Sequence, residues 1–410
     1  MSFFFRVKTV SEIFGESKKF LPLEKQTVPL MEALGRYLAE DVTCPEDLPP
    51  FPRATMDGYA VQARDVFGAR ESEPVLLRLK GEIPMGVAPE FVLEPGEAAR
   101  IATGGMLPEG ADAVVMVEYT EEIGELVEIR RPVSPGENVI LKGEDAKASE
   151  ILFPQGTKLT PGKIGLLASA GITQVSVRRA PQVAIISTGD ELVPPQERPA
   201  PGQIRDVNSY SLGAAVREAG GIPLLMGIIP DKVEDLFQAI KKALNQADVV
   251  LISGGSSVGV RDYTLRCLSD LPEAELLCHG VAVRPGKPTI LARVGNKVVF
   301  GLPGQMASAL LIFYILVRPL LLHLQGASEK DLKLTSVRAR ASRNIPSAQG
   351  REDYIRVKLY RDQDQTLWAE PIFRRSGLIS SMAQADGLLR IPKKSEGIYE
   401  GEEAEVFLFP

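Results

Sequence analysis

The sequence predicts a multidomain fold in which a central α/β domain with a parallel sheet is joined to two mainly β regions. Within residues 181–327, continuous apolar runs such as QVAIIS and DVVLIS alternate with helical patterns, as in a parallel sheet buried on both faces. Residues 46–145 contain short β-like runs separated by Gly and Pro, which predicts an inserted, mostly-β module. Five further short runs in residues 333–410 predict a C-terminal β-barrel.

The composition is that of a globular protein and limits the classes of function. The 410 residues suffice for two to four domains, and 44% of them are hydrophobic, enough to form buried cores. The net charge of −6 argues against a nucleic-acid partner, because phosphate contacts need clustered Lys and Arg. Three cysteines without a CxxC pair and two histidines without ligand spacing predict neither a disulfide framework nor a zinc site.

The chain is expected to be cytoplasmic and to have no membrane partner. It begins MSFFFRVKTV and then turns charged, which is too short and too polar a start for a signal peptide. The most apolar stretch, ALLIFYILVRPLLLHL, is shorter than the ~20 residues of a membrane span. It is also interrupted by Arg318, Pro319 and His323. We therefore expect a buried core helix there.

The N-terminal elements predict one linking domain that is interrupted by the β module. Residues 1–45 carry a helical pattern in PLEKQTVPLMEALGRYLAEDV, with apolar positions at three- and four-residue spacing. Residues 146–180 contain a second helix, PGKIGLLASAG, with Pro161 just inside its start and Gly171 at its end. Between them, residues 46–145 contribute the β runs VLLRLKG, AARIATG, ADAVVMVEY and LVEIRRPV.

The central and C-terminal elements follow from the same kinds of periodicity. In the α/β domain, the predicted strands are QVAIIS, IPLLMGII and DVVLIS. The predicted helices are SYSLGAAVREAG, with Asn208 as a cap, VEDLFQAIKKALNQA and RDYTLRCLSD. The barrel strands are predicted at LKLTSVRARAS, DYIRVKLY, LWAEPI, LLRIP and EAEVFLF.

A glycine-rich segment, GGSSVG (254–259), directly follows the strand DVVLIS. Ligands of open α/β sheets bind beyond the carboxyl ends of the strands, where free backbone N–H groups and a helix N-terminus favour an oxyanion. Ser256 and Ser257 add hydroxyl donors. The same residues also fit a tight turn that needs positive φ, with Asp262 as an ordinary helix cap. The motif alone leaves both interpretations open.

Carboxylates follow two of the other predicted strands. Asp190 and Glu191 lie in STGDELV, and Asp231 lies in GIIPDKVEDL. Beside an anionic ligand, such carboxylates make sense with a cation between them, and Mg²⁺ prefers these oxygens. The alternatives are a solvated turn for the first pair and a helix N-cap for Asp231, which is the more frequent role of such a residue.

Two further loops carry possible anion-binding groups. In VRPGKPT (283–289), Pro285 and Pro288 stiffen the loop that holds Arg284 and Lys287. In GLPGQMASAL (301–310), backbone amides at the start of the apolar helix could bind an anion, although helix capping alone explains the pattern. Each motif is weak by itself, but all of them fall on loops of the same predicted sheet.

Seven motifs in order resemble one known family over essentially the whole chain. They are PPFPRATMDGYAV (49–61), RIATGGMLPEGADAVVMVE (100–118), KGEDA (142–146), STGDEL (187–192), SGGSSVGVRDY (253–263), RPGKP (284–288) and GLPG (301–304). The combination is similar to the molybdopterin molybdenumtransferase, or MoeA, family, which includes the E domain of gephyrin.

The resemblance implies an elongated homodimer of four-domain subunits with a central molybdopterin-binding domain. It also implies a Mg²⁺-dependent reaction in which adenylylated molybdopterin and molybdate, or tungstate, give the molybdenum cofactor and AMP. The metal would end on the dithiolene sulfurs of the pterin. A chain without Cys or His metal ligands fits that expectation.

The resemblance also assigns site residues, motif by motif. The catalytic set would be Asp57, Thr103, Asp145, Glu191, Asp231, Asp262 and Lys287, with Glu191, Asp231 and Asp262 as the Mg²⁺ ligands. The residues that bind the pterin nucleotide and the oxyanion would be Gly254, Gly255, Ser256, Ser257, Gly259, Arg284, Lys287, Pro288, Gly304, Ser308, Arg351 and Ser376. Asp57 and Thr103 would complete the site of the neighbouring subunit.

The chain departs from the family pattern at a few positions that bear on anion geometry and on the choice between molybdate and tungstate. These are Pro52, Ala54, Gly280 and the pair Gln305–Met306. Two alternatives stay open: a molybdopterin adenylyltransferase built on the same α/β domain, and a non-catalytic dimeric scaffold. The additional β regions argue against the first alternative, and the intact acidic set argues against the second.

Overall fold

The structure, a computed structural model, describes residues 7–254, 258–373 and 378–410, and of residues 258–262 the backbone alone. The first segment contains helix α1 (Val10–Ser17), strand β1 (Lys25–Pro29), a 3₁₀ turn (Leu30–Ala33) and strand β2 (Val42–Thr43). The helix predicted across residues 22–42 is therefore wrong. The ring of Pro29 disfavours a helical conformation at Val28. The helix α1 was missed, although Thr9 and Glu12 form a capping box at its start.

The β module between β2 and the next helix is built mainly on one sheet. Its strands are β3 (Arg53–Ala54), β4 (Gly58–Val61), β5 (Val75–Ile83), β6 (Glu97–Ile101), β7 (Ala113–Met116), β8 (Thr120–Ile123), β9 (Leu126–Ile129) and β10 (Val139–Ile140). Six of them pair in the order β7-β4-β6-β5-β9-β8. Tyr59, Leu77 and Val115 lie in its buried core. The four predicted β runs correspond to β5, β6, β7 and β9.

The chain then returns to the first segment. Strand β11 (Ile151–Phe153), helix α2 (Pro161–Ser169) and strand β12 (Gln174–Arg178) follow the β module. β11 pairs with β2 and β12 pairs with β1, both antiparallel. As predicted, Pro161 is the first residue of α2, and Gly171 follows its end with a φ of 71°. The module therefore leaves and re-enters between β2 and β11, while the boundaries of the domains stay a prediction.

The central region forms a six-stranded mixed sheet. Its elements are β13 (Gln182–Thr188), β14 (Leu192–Val193), β15 (Ile204–Arg205), α3 (Asn208–Glu218), β16 (Ile222–Ile229), α4 (Val233–Gln246), β17 (Val249–Gly254), α5 (Val258–Ser269), β18 (Ala274–His279), β19 (Val283–Arg284), β20 (Ile290–Val294), β21 (Lys297–Leu302), α6 (Met306–Ile312) and α7 (Arg318–Leu324). The strand order is β16-β13-β17-β21-β20-β18. The first four strands are parallel, which confirms the predicted α/β class. β20 and β18 extend the sheet antiparallel, and periodicity did not reveal them.

Helices cover both faces of this sheet, because alternate side chains of each strand point to opposite faces. Val183 and Ile185 of β13 belong to the core that includes α3, α6 and α7. Ala184 and Ile186 belong to the core that includes α4 and α5.

The most apolar helix lies inside this core. It runs from Met306 to Leu324 through α6, a π turn (Phe313–Val317) and α7, and 83% of its most apolar window is buried. Its 19 residues are long and apolar enough to cross a membrane by length and composition alone. The burial confirms the core helix predicted from the sequence.

The C-terminal region is a closed five-stranded barrel. Its elements are α8 (Glu329–Leu332), β22 (Ser336–Ala341), β23 (Ile345–Pro346), β24 (Glu352–Arg361), β25 (Leu367–Pro371), α9 (Ser380–Ala383), β26 (Gly387–Ile391), β27 (Gly397–Ile398) and β28 (Glu403–Leu408). The barrel order is β24-β25-β22-β28-β26, and β26 pairs back with β24. β19 from the central region pairs parallel with β24 and so joins the two regions. The predicted barrel is confirmed.

Candidate functional site

The predicted ligand loops of the central region share one edge of its sheet. Thr188, the last residue of β13, is in register with Ile229 and with Gly254, the last residues of β16 and β17. Ser253 is in register with Leu302, which ends β21. Four parallel strands therefore end at one edge, and the loops after them face the same side.

The loop that carries Arg284 and Lys287 lies at that edge as well. It joins the end of β18 to the start of β20, and His279 pairs with Ile290, which pairs with Gly301 near the end of β21. Since β20 is antiparallel to both of its neighbours, β18 runs in the same direction as β21, and the loop after β18 therefore lies at the carboxyl edge like the loops after the four parallel strands.

The strand order reverses at the centre of this edge. The chain crosses from β13 through α3 to β16 on one side, and then through α4 to β17 on the other side. Such a switch point is where open α/β sheets bind ligands. A Cβ atom on Gly254 would lie 2.0 Å from Thr188 Oγ1 and 2.3 Å from its carbonyl oxygen. Only glycine fits this close approach between the ends of β13 and β17.

Part of the predicted glycine-rich site lies outside the described residues, namely Gly255, Ser256 and Ser257. The helix α5 begins at Val258, so Gly259 lies inside the helix rather than in the turn. Asp262 is the fifth residue of α5, so the interpretation of this residue as an N-cap is wrong. Its side chain is not among those described.

Asp190, Glu191 and Asp231 form what we call the acidic group. The backbone N–H of Asp231 donates to Asp190 Oδ1 at 3.1 Å. Burial raises the pKa of the Asp231 carboxyl, and the neighbouring charges of Asp190 and Glu191 raise it further. Asp231 Oδ1 is buried without a hydrogen-bond partner. The helix α4 begins after Lys232 without a side-chain cap, so the capping role considered for Asp231 is wrong.

Arg284, Lys287 and Arg351, together with Asp353, form what we call the basic group. Asp353 is fully buried; its Oδ1 accepts from Arg351 Nε at 3.0 Å, and its Oδ2 lies 3.6 Å from Arg284 Nη1. Lys287 is exposed in the same loop as Arg284. Two predicted cations from different regions are therefore held by one carboxylate that the sequence interpretation did not single out.

A buried polar network lies beneath the centre of the edge. Asn208 Nδ2 donates to Ser253 Oγ and to the carbonyl oxygen of Gly304, both at 2.7 Å. Asp206 Oδ1 accepts from Ser187 Oγ at 3.0 Å and from the backbone N–H of Ser209 at 3.1 Å. The predicted capping role of Asn208 is therefore wrong, since no side-chain cap is present at α3 and Asn208 is its first residue.

The remaining central and C-terminal site residues lie near this edge or outside the described part. Gly304 accepts the bond from Asn208, and Ser308 is buried in the first turn of α6. Pro288 is half-buried one residue after Lys287. Ser376 lies outside the described residues.

The predicted site residues of the β module are Asp57, Thr103 and Asp145. Thr103 donates to Asp57 Oδ1 from its backbone N–H at 2.7 Å and from its hydroxyl at 2.9 Å. These bonds hold the pKa of the Asp57 carboxyl below its usual range. Asp145 is exposed, and its N–H donates to the carbonyl oxygen of Leu48. Within the residues described, no hydrogen bond or ion pair links Asp57, Thr103 or Asp145 to the acidic group.

The positions that depart from the family pattern have local structural roles. The carbonyl oxygen of Pro52 accepts from the N–H of Leu107, and the N–H of Ala54 donates to the carbonyl oxygen of Gly105. Gly280 has a φ of 106°, which favours glycine. Gln305 is the N-cap residue of α6, its side chain does not cap the helix, and Met306 is the first helical residue.

Family models match three consecutive parts of the chain. They are described as the MoeA N-terminal region (domain I and II) for residues 8–171, a probable molybdopterin binding domain for residues 184–323, and the MoeA C-terminal region (domain IV) for residues 338–409.

Relatives and solved structures match nearly the full length. The molybdopterin molybdenumtransferase of Nostoc is 38% identical, over 94% of this chain and 89% of its own. That of Bacillus subtilis is 34% identical, over 94% and 90%. Two solved structures of molybdopterin biosynthesis MoeA protein from Pyrococcus horikoshii have TM-scores of 0.82 and 0.84 at 41% and 33% identity. They cover 99% and 98% of this chain, and 100% of each of those chains is matched.

Proposed function

Because the chain belongs to the MoeA family of molybdopterin molybdenumtransferases, we propose that it inserts molybdate into adenylylated molybdopterin and releases AMP. It is a transferase of molybdenum cofactor biosynthesis. The adenylylated substrate, the release of AMP and the oxyanion, molybdate or tungstate, belong to the proposal. So do the cytoplasmic location and the Mg²⁺ requirement.

The observation that supports this reaction most is the separation of charge along one sheet edge. The acidic group follows β16 and β13, whereas the loop of Arg284 follows β18 and precedes β20. β13 and β20 are three strand spacings apart, roughly 14 Å. The Gly254 turn lies between them. This arrangement suits a nucleotide joined to a pterin through a pyrophosphate, with a cation beside the phosphates and an oxyanion beside the pterin.

The residues have distinct roles in the proposed reaction. Backbone N–H groups after β17 would bind the phosphates, since Gly254 lets the chain approach closely. Arg284, Lys287 and Arg351 would bind the oxyanion and hold it against the dithiolene sulfurs. Their positive charges would attract a dianion, and their N–H donors would orient it. Ser308 and Ser376 would add hydroxyl donors.

The acidic group fits a Mg²⁺ ion. Among the side chains that the structure describes, no three His, Cys, Asp or Glu groups form a ready-made metal site. Mg²⁺, however, is often held by one or two carboxylates while water and substrate phosphates complete its shell. The buried, unpaired Oδ1 of Asp231 and the repulsion from Asp190 and Glu191 leave a place for a cation. Asp231, Glu191 and Asp262 would hold the ion, which would neutralise charge on the pyrophosphate.

We also propose that the enzyme is a homodimer. Asp57 and Thr103 are hydrogen-bonded to each other in the β module, Asp145 is exposed, and no described bond joins any of the three to the acidic group of their own chain. Completion of the site of a partner subunit gives these exposed polar groups a role. Asp57 stays ionised there because Thr103 holds its pKa low.

The test is AMP release from adenylylated molybdopterin with Mg²⁺ and either molybdate or tungstate. We expect turnover by the wild-type protein and a loss of at least 100-fold in Asp231→Asn. Asp235→Asn, an exposed carboxylate in the first turn of α4, is the matched control and should keep wild-type activity.

Other outcomes separate the alternatives. AMP release without incorporation of metal into the pterin would contradict metal insertion. Adenylyl transfer from ATP to molybdopterin would favour an adenylyltransferase. A wild-type protein inactive with a competent substrate would support a scaffold.

A further inference from the structure

We infer that Asp353 is a positioning residue, which fixes Arg284 and Arg351 as a pair for a tetrahedral oxyanion. This inference deepens the proposed function and depends on it. Asp353 touches neither the phosphates nor the reacting atoms in the proposed reaction, and it acts through the two guanidinium groups.

The backbone brings these three residues to one place. β19 pairs parallel with β24, with Val283 in register with Glu352 and Arg284 in register with Asp353. The N–H of Glu352 also donates to the carbonyl oxygen of Ala282 at 2.9 Å. In a parallel pair, residues in register point to the same face of the sheet. Arg284 of the central region and Asp353 of the barrel are therefore neighbours by strand pairing, not by chance contact of long side chains.

The burial of the three side chains differs sharply. The Asp353 side chain is 0% exposed, whereas those of Arg351 and Arg284 are 36% and 60% exposed. A fully buried carboxylate needs cationic partners, because an unpaired buried charge is costly. One side of each guanidinium group thus faces Asp353, through a hydrogen bond for Arg351 and a 3.6 Å ion pair for Arg284, and the rest of each group is accessible to solvent.

Donors are left over for a ligand. Arg351 uses Nε for Asp353 Oδ1, which leaves both terminal nitrogens of its planar group. Asp353 Oδ2 has no hydrogen-bond donor, and its nearest cation, Arg284 Nη1, is 3.6 Å away. The N–H groups of Arg284 are not consumed by this ion pair. The loop of Arg284 is itself held, since the buried Thr289 donates its hydroxyl to the carbonyl oxygen of Gly286 at 2.7 Å.

The charge of the basic group suits the ligand. Arg284 and Arg351 carry two positive charges against the one negative charge of Asp353, so the group keeps an excess of positive charge towards a molybdate or tungstate dianion. Two arginines without the carboxylate would repel each other and spread apart in solvent. The role of Asp353 is therefore to lower the repulsion between Arg284 and Arg351 and to fix the direction of their N–H donors, although it also reduces the total positive charge of the basic group.

The test is Asp353→Asn, assayed for AMP release with molybdate and adenylylated molybdopterin varied separately. Loss of positioning should raise the KM for molybdate about tenfold, with the KM for adenylylated molybdopterin unchanged. Simple attraction predicts the opposite sign, because the variant carries one more net positive charge. An unchanged or lowered KM for molybdate, in an enzyme whose wild type turns over, would overturn the inference and leave the proposed function intact.

A matched control and a second measurement complete the design. Asp248→Asn removes a carboxylate that holds Arg179 by two bonds of 2.7 Å at the other end of the sheet, and its KM for molybdate should not change. Arg351→Gln should raise the KM for molybdate, and adding Asp353→Asn should raise it by a smaller factor than Asp353→Asn does alone, because one of the two arginines that Asp353 fixes is already absent. Additive effects in the double variant would contradict the inference. If Asp353→Asn does not fold, Asp353→Glu keeps the charge but displaces the carboxylate, so it should also raise the KM for molybdate, and an unchanged KM for molybdate would overturn the inference.

Discussion

The acidic group and the basic group lie along the same sheet edge, but the protein treats their like charges in opposite ways. In the basic group, a buried carboxylate of Asp353 stands between Arg284 and Arg351. In the acidic group, Asp231 faces Asp190 and Glu191, and the charges of these neighbours raise its pKa. Among the described side chains, no cation forms an ion pair with these three carboxylates.

This difference indicates which kind of ion each group binds from solution. A protein that supplies its own counter-ion fixes the direction of its donors before a ligand arrives. A protein that leaves like charges together retains a repulsion that a bound cation relieves. The basic group is thus preorganised for an anion, and the acidic group is completed by a cation.

The largest effect is expected between the two groups, at the Gly254 turn. Gly254→Ala places a Cβ atom within 2.3 Å of a backbone oxygen of Thr188, and backbone cannot move aside as a flexible side chain can. We expect a destabilisation of about 3 kcal/mol and an activity loss of at least 100-fold. Urea unfolding and the AMP-release assay measure both quantities.

The matched control for this variant is Gly165→Ala in α2, where an added Cβ atom meets nothing within 4 Å. It should stabilise the protein by about 1 kcal/mol, because alanine is the better helix former. Equal effects of the two substitutions would show that the narrow gap between β13 and β17 is unimportant, and that the two groups need not share a fixed edge.

A smaller effect is expected on the melting temperature, which substitutions in the acidic group and in the basic group should change in opposite directions. In metal-free buffer at pH 7, Asp231→Asn should raise the melting temperature by about 2 °C, because it removes a repelled charge. Asp353→Asn should lower the melting temperature by about 2 to 4 °C, because it leaves two guanidinium groups without their shared partner. Calorimetry with EDTA present is the measurement. Shifts of the same sign would contradict the contrast between the groups.

The smallest effect is expected at a carboxylate away from both groups, whose counter-ions are supplied by the chain. Hydrogen bonds from Lys19 and Lys8 lower the pKa of Glu16 from 4.5 to about 2. A lowered pKa stabilises the folded state above pH 4.5, and this contribution is lost as the pH falls towards 2. Glu16→Gln should therefore lower the melting temperature by about 1 to 2 °C at pH 7 and by much less at pH 3.

The control for the pH experiment is Glu329→Gln. Glu329 pairs with Lys18 on the surface, and both side chains are largely exposed, so little stability depends on the pair. A deficit in Glu16→Gln that stays constant between pH 7 and pH 3 would show that the ionised form of Glu16 is not the stabilising species.

The pattern of apolar residues predicted strands correctly where the buried residues of a strand form one continuous run in the sequence. The strands β13, β16 and β17 and the five barrel strands were readable because their apolar runs are bounded by turn residues. The segment of residues 22–42 was predicted wrongly. Its apolar spacing suits a helix, whereas Pro29 and the pairing of β1 with β12 impose a strand. Propensity was overridden there by tertiary pairing.

By itself, the sequence determined the family motifs, the α/β and barrel regions, and the loops on which charged residues would gather. Only the tertiary structure decided that β20 and β18 pair antiparallel at the side of the sheet, that Asn208 connects the end of β17 to the loop before α6, and that Asp353 lies between two arginines. The physical reason is the distance along the sequence over which each kind of information acts. Periodicity records which face of a segment is buried, whereas a hydrogen bond or ion pair between distant segments depends on register and on the geometry of the assembled sheet.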